Sequence, residues 1–157
     1  MSPGRLALLV QLASTLPLVG LTWLIQIVSY PLFARVAAAD FVDYHAAHSR
    51  LITFVVAPLM LAELAGAVAL VNFGDPMVPR GAAWLSAFLA AATWGLTMLV
   101  SVPQHEVLAH GFDLRAHTLL VATNWLRTIA WTVRGALLLW LVARALTPVS
   151  TVLVKGS

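Results

Sequence analysis

The sequence predicts an all-α integral membrane four-helix bundle. Three observations predict it: four apolar stretches of spanning length, a shortage of charge, and short connections rich in turn-forming residues. Of 157 residues, 61% are hydrophobic and 10% are charged, and the mean hydropathy is +0.93. A soluble domain usually carries about 25% charged residues. So few charges cannot build a water-facing surface, so much of the surface must face lipid.

The apolar stretches run over 6–28, 51–71, 82–102 and 119–142. Each has about 20 residues or more, enough to cross a hydrocarbon core of about 30 Å at 1.5 Å per residue. Helices are required, because in lipid every backbone N–H and C=O must be satisfied within the segment. The first stretch is too long for the apolar core of a signal peptide. Gln26 and Tyr30 stand where small residues would mark cleavage, so it reads as retained. The whole chain, 1–157, reads as a single transmembrane domain.

The connections are short. The segment 72–79, with Gly74, Asp75, Pro76 and Pro79, is a turn cluster between spans two and three. Pro103 closes span three, with His105 just past it. Gly111 and Asp113 open span four, Asp113 as an N-cap. Asp40 reads as the cap of a helix that begins before the membrane and runs through Tyr44, His45 and His48 into span two. The tail after Pro148 reads as frayed or interfacial.

Charge excludes some function classes. The net charge is +3, but the basic residues are scattered singly, which argues against nucleic acid. Without cysteine there are no disulfides, thiolate metal sites or cysteine nucleophiles. Arg5, Arg80, Arg144 and Lys155 fall on one side of the membrane; Arg35, Arg50 and Arg115 fall on the other. That excess of one favours both termini in the cytoplasm, and the expected location is an inner, cytoplasmic membrane.

All five histidines, His45, His48, His105, His110 and His117, fall at the other side. His45 and His48 share a helix face, His105 comes just after span three, and His117 begins span four. Converging imidazoles suit zinc, copper or iron, so His45, His48, His105 and His117 are the candidate ligands of a transition metal or a haem. Glu106, Asp43 and Asp113 are further acceptors. The alternative is that these histidines are merely interfacial. His110, beside Gly111, is the least suited to ligation.

Inside the spans lie Glu63, Arg127 and Arg134. Charges there are costly and usually face the bundle interior in pairs. Glu63 lies about five whole turns after His45, and Pro58 is a candidate kink. His117, Asn124, Arg127, Trp131 and Arg134 fall in one sector of span four, a polar stripe running down from the histidines. Thr22, Gln26, Thr97 and Ser101 extend the polar interior. Measured from the span ends, Glu63 lies about 18 Å deep, Arg127 about 12 Å and Arg134 about 22 Å, so either arginine suits as its partner. The choice is between an ion pair that fixes packing and a pocket. In the pocket reading Arg127 or Arg134 holds an anionic or carbonyl-bearing ligand, Glu63 and Arg127 are the candidate catalytic residues, and Asn124, Trp131 and Arg134 are the candidate cofactor-binding residues. The six tryptophans read mainly as packing or belt residues.

The segments Tyr44-His-Ala-Ala-His48, Val102-Pro-Gln-His-Glu-Val-Leu108 and Asn124-Trp-Leu-Arg-Thr128 resemble those of uncharacterised four-span bacterial membrane proteins. More distantly the chain is similar to anthrone-oxygenase-like proteins, which have V-P-x-N-x-x-L-like and N/H-x-x-R-like elements. His105 stands where that family usually has Asn. The resemblance implies oxidation of an aromatic or polyketide-like substrate. Histidines, polar stripe and resemblance together read as a membrane-embedded, metal- or haem-dependent oxidoreductase acting on a lipophilic small molecule. The alternatives are an accessory or assembly subunit of a larger membrane complex, or a small transporter that works as a homo-oligomer.

Overall fold

The structure, a computed structural model, describes residues 1–146. The tail after Pro148 and Lys155 lie outside the described residues. Those residues form four long helices: α1 (Pro3–Phe33), α2 (Phe41–Phe73), α3 (Arg80–Leu108) and α4 (Leu114–Leu146). All four are long and apolar enough to cross a membrane, and only 22–39% of each apolar window is buried inside the protein. The remainder faces outward. Phe54 is 81% exposed and Leu99 79%, which suits an apolar surrounding such as lipid.

Helix α1 packs on α2 and α4, and α3 packs on α2 and α4. The four therefore form a ring in chain order, with α2 and α4 on a diagonal. One end of the bundle is tied at the N-terminus. Ser2 caps α1, its Oγ accepting from Arg5 N at 3.1 Å and donating to Asp75 Oδ2 at 3.0 Å. Arg5 pairs with the same carboxylate at 3.8 Å. Gly4 lies against the carbonyl of Gly74, a position that leaves no room for a side chain.

The other end departs from the sequence reading in two places. Span three does not stop at Pro103; the helix continues through it to Leu108. Helix α1 likewise runs through Pro31 to Phe33. Each helix admits its proline by widening into a π turn just before it, Ile25–Ser29 in α1 and Thr97–Ser101 in α3. Proline lacks an N–H, and its ring collides with the carbonyl four residues earlier. Those carbonyls belong to Ile27 and Leu99, both inside the π turns, where the looser turn relieves the collision. Asp113 caps α4 through its side chain, Ala116 N donating to Oδ1 at 2.7 Å. Asp40 holds the capping position of α2 but makes no side-chain cap bond.

Candidate functional site

Two polar centres lie along the interior, one mid-span and one at the histidine end. The mid-span centre is closed. Glu63 and Arg134 form an ion pair across the bundle diagonal, both side chains fully buried. Glu63 Oε2 also accepts from Thr15 Oγ1 at 3.0 Å, and Oε1 accepts from Trp131 Nε1 at 3.0 Å. Arg134 donates to Thr15 Oγ1 (2.7 Å), Gln11 Oε1 (2.9 Å) and the Ser86 carbonyl (3.1 Å). Ser86 Oγ donates to Gln11 Oε1 at 2.8 Å, and Gln11 Nε2 donates to the Gly66 carbonyl at 3.1 Å. All four helices contribute. The carboxylate and the guanidinium satisfy each other, so this centre is a structural lock.

The histidine end is open. A cavity of about 400 Å³ lies in the groove between α2 and α3, with Ile25 and Tyr30 of α1 and Arg127 of α4 closing its inner side. Glu63, Trp131 and Arg134 do not line it. Its physical origin is the π turn of α3. Helix α2 packs along Arg80–Leu96, while Thr97–Ser101 packs on α4 instead, so the groove widens there. Most of the wall is apolar, including Ile52, Val56, Met60 and Trp94. The exposed Thr53, Met98 and Val102 form a rim on the lipid-facing side.

The polar part of the wall is a hydrogen-bonded chain. Tyr30 Oη lies 3.0 Å from His105 Nε2, and His105 Nδ1 lies 3.0 Å from His45 Nε2. Phe41 stacks on His45 at 5.8 Å, and Phe33 packs edge-on against His48 at 4.9 Å, so aromatic rings hold the imidazoles in place. Arg127 Nη1 donates to Ser101 Oγ (3.3 Å) and Asn124 Oδ1 (3.1 Å), and the guanidinium sits 5.1 Å from the centre of the Trp131 ring. Asn124 Nδ2 in turn donates to Gln26 Oε1 at 2.8 Å.

Among the described residues, four buried side-chain atoms have no hydrogen-bond partner: Nδ1 of His45, Nε2 of His48, Oγ of Ser49 and Nε of Arg127. All four belong to this end of the bundle, and His45, Ser49 and Arg127 line the cavity. Buried polar atoms are nearly always paired, and these four gather at the one end of the bundle that is open.

The four candidate metal ligands do not meet at one point. His45 and His105 are hydrogen-bonded to each other, and His48 lies beside them against Phe33. His117 donates from Nε2 to the Tyr30 carbonyl at 2.8 Å. That bond ties the head of α4 to the last turn of α1, which ends at Phe33. Among the described residues no group of three or more His, Asp or Glu side chains is arranged to hold a metal ion. His110 is exposed, and its ring Nδ1 bonds the Glu106 carbonyl at 3.0 Å.

Tyr30 is the residue that sequence reasoning missed. A local signal existed. Val28-Ser29-Tyr30-Pro31 and Val100-Ser101-Val102-Pro103 share a V-S-x-P pattern, and in both the serine ends a π turn. No family model matches the chain, no curated protein matches it, and no solved structure matches it.

Proposed function

We propose that this membrane protein takes a lipophilic small molecule into the α2–α3 cavity and moves a proton to or from one of its oxygen atoms through Tyr30, His105 and His45. The observation that carries this reading is the unsatisfied polar cluster on the wall of an apolar, laterally open cavity. Cavities with mostly apolar walls and a few convergent polar groups are the usual form of small-molecule sites.

The chain of three rings supports proton transfer by its tautomers. In one state His45 Nε2–H donates to His105 Nδ1, His105 Nε2–H donates to Tyr30 Oη, and the tyrosine proton is free for the bound molecule. A proton then arrives at His45 Nδ1, one proton passes along each hydrogen bond, and Tyr30 gives its own to the ligand. The chain ends with both hydrogen bonds reversed. His45 Nδ1, buried without a partner, is the atom such a relay needs at its far end. Arg127, which carries part of the resemblance to anthrone-oxygenase-like proteins, lines the cavity, and that favours an aromatic or polyketide-like ligand; His105, where that family usually has Asn, lines it too.

The test is mass spectrometry of molecules extracted from protein purified in mild detergent. We expect an apolar compound that Ala57→Trp, which fills the cavity wall, expels. Tyr30→Phe should keep the compound and lose its conversion. An absence of bound compound in the wild type, or equal amounts in Ala57→Trp, would overturn the proposal.

A metal-dependent oxidoreductase is a second reading, favoured by the unpartnered nitrogens of His45 and His48, one helical turn apart. A metal there would need a third ligand brought in by rearrangement. Elemental analysis of wild type and His48→Ala after expression with zinc, copper and iron decides it. Metal bound stoichiometrically and lost in the variant is the expected signature of that reading.

A further inference from the structure

We infer that the molecule held in the cavity is a lipophilic acid, carrying one ionised carboxylate or phenolate oxygen that pairs with Arg127. This inference rests on the cavity reading and names its ligand class. Three ionisable side chains of fixed sign lie deep in the bundle, and Glu63 is spent entirely on Arg134. Among the described residues only two ion pairs form, Arg5 with Asp75 and Arg134 with Glu63. Arg127 is 6% exposed and has no carboxylate partner. Glu106 also lines the cavity, but it is exposed near the end of α3 and makes no ion pair with Arg127.

The neutral groups around Arg127 do not offset a full charge. Nη1 is used on Ser101 and Asn124, the Tyr30 phenol lies beside the guanidinium as a neutral partner, and Nε has no partner. A guanidinium in low dielectric without a counter-ion is costly, and in membrane proteins such residues mark ligand or ion sites. The guanidinium also presents a planar, forked donor set that suits an oxyanion. Trp131 holds it by a cation–π contact from the side of the closed centre. The anion must be apolar elsewhere, because the wall that receives the rest of the molecule is apolar and its rim faces lipid.

The experiment uses the full-length protein in zwitterionic nanodiscs with two matched fluorescent probe pairs. One pair is a C16 carboxylic acid and the corresponding alcohol; the other is an alkyl nitrophenol, ionised at pH 8, and its methyl ether. At least one acid should bind ten-fold or more tightly than its neutral partner, and that pair identifies the acid type. Arg127→Gln should weaken the acid far more than its neutral partner and bring the ratio to within about two-fold. Arg127→Lys should keep most of the preference, which separates loss of charge from loss of fold. Equal binding of acid and neutral probes to the wild type would overturn the lipophilic-acid inference and leave the cavity reading standing. Binding of none of the four would overturn both.

Discussion

Arg127 and Arg134 lie two turns apart on one face of α4, and their roles differ because of depth. Counted from the helix starts, Glu63 lies about 33 Å along α2, Arg134 about 30 Å along α4 and Arg127 only about 20 Å. Opposite the carboxylate there is room for one guanidinium, and Arg134 occupies it. The sequence alone left the choice open because its span ends were set at 51 and 119, whereas the helices begin at Phe41 and Leu114. The residue types and their shared face were legible; the register was not. Removing one partner strands a buried charge, so Glu63→Gln and Arg134→Met should each cost about 3–5 kcal/mol. Arg127→Met strands no acid and should cost well under half of that. Thermal melts in detergent compare the three, and equal losses would show that Arg127 is part of the lock. Gly66 gives a second residue-scale expectation. A Cβ there would lie 2.8 Å from Gln11 Cγ and 3.2 Å from the Ala7 carbonyl oxygen. Gln11 is held by its bonds to Arg134, Ser86 and Gly66 and cannot step aside, so Gly66→Ala should destabilise by about 1–3 kcal/mol.

At the scale of elements, the π turns decide where the histidine-end side chains point. Hydropathy revealed the spans, and the 3.6-residue period revealed the polar stripe of α4, because both are averages over many residues. A π turn is a single extra residue in one turn, invisible to either average. It nonetheless rotates the rest of the helix beyond it. That is why His105 on α3 reaches Tyr30 and His45 rather than a site shared with His117. Pro103→Ala tests the cause. Alanine restores an N–H and removes the ring that collides with the Leu99 carbonyl, so the helix is free to tighten. We expect stability to hold or rise, by no more than the cost of proline in a helix interior, about 3 kcal/mol, while probe binding in the cavity falls several-fold. Unchanged binding would mean that packing on α4, not the proline, maintains the wide turn.

For the molecule as a whole, the ring order of helices separates two ends with different tasks. One end joins the N-terminus to the 74–79 connection through Ser2, Arg5 and Asp75. The other gathers the ends of all four helices around the imidazoles, with the connections 34–40 and 109–113 beside them. The closed Glu63–Arg134 centre lies between and keeps the four helices in register, so the cavity beside it can remain open without the bundle separating. This polarity has a topological consequence. Because the chain contains no cysteine, single cysteines can report it without background. Pro76→Cys and Ala109→Cys place thiols at two exposed positions on opposite ends. In intact bacterial cells, a membrane-impermeant maleimide should label the 109 variant and leave the 76 variant unlabelled until the membrane is broken. That pattern corresponds to termini in the cytoplasm, a direction that rests on the slight Lys and Arg excess at the terminal side, Lys155 included. The reverse pattern would invert the orientation, with His45 and the cavity toward the cytoplasm. Labelling of both variants from one side would be incompatible with four spans, and so with the ring order on which the cavity depends.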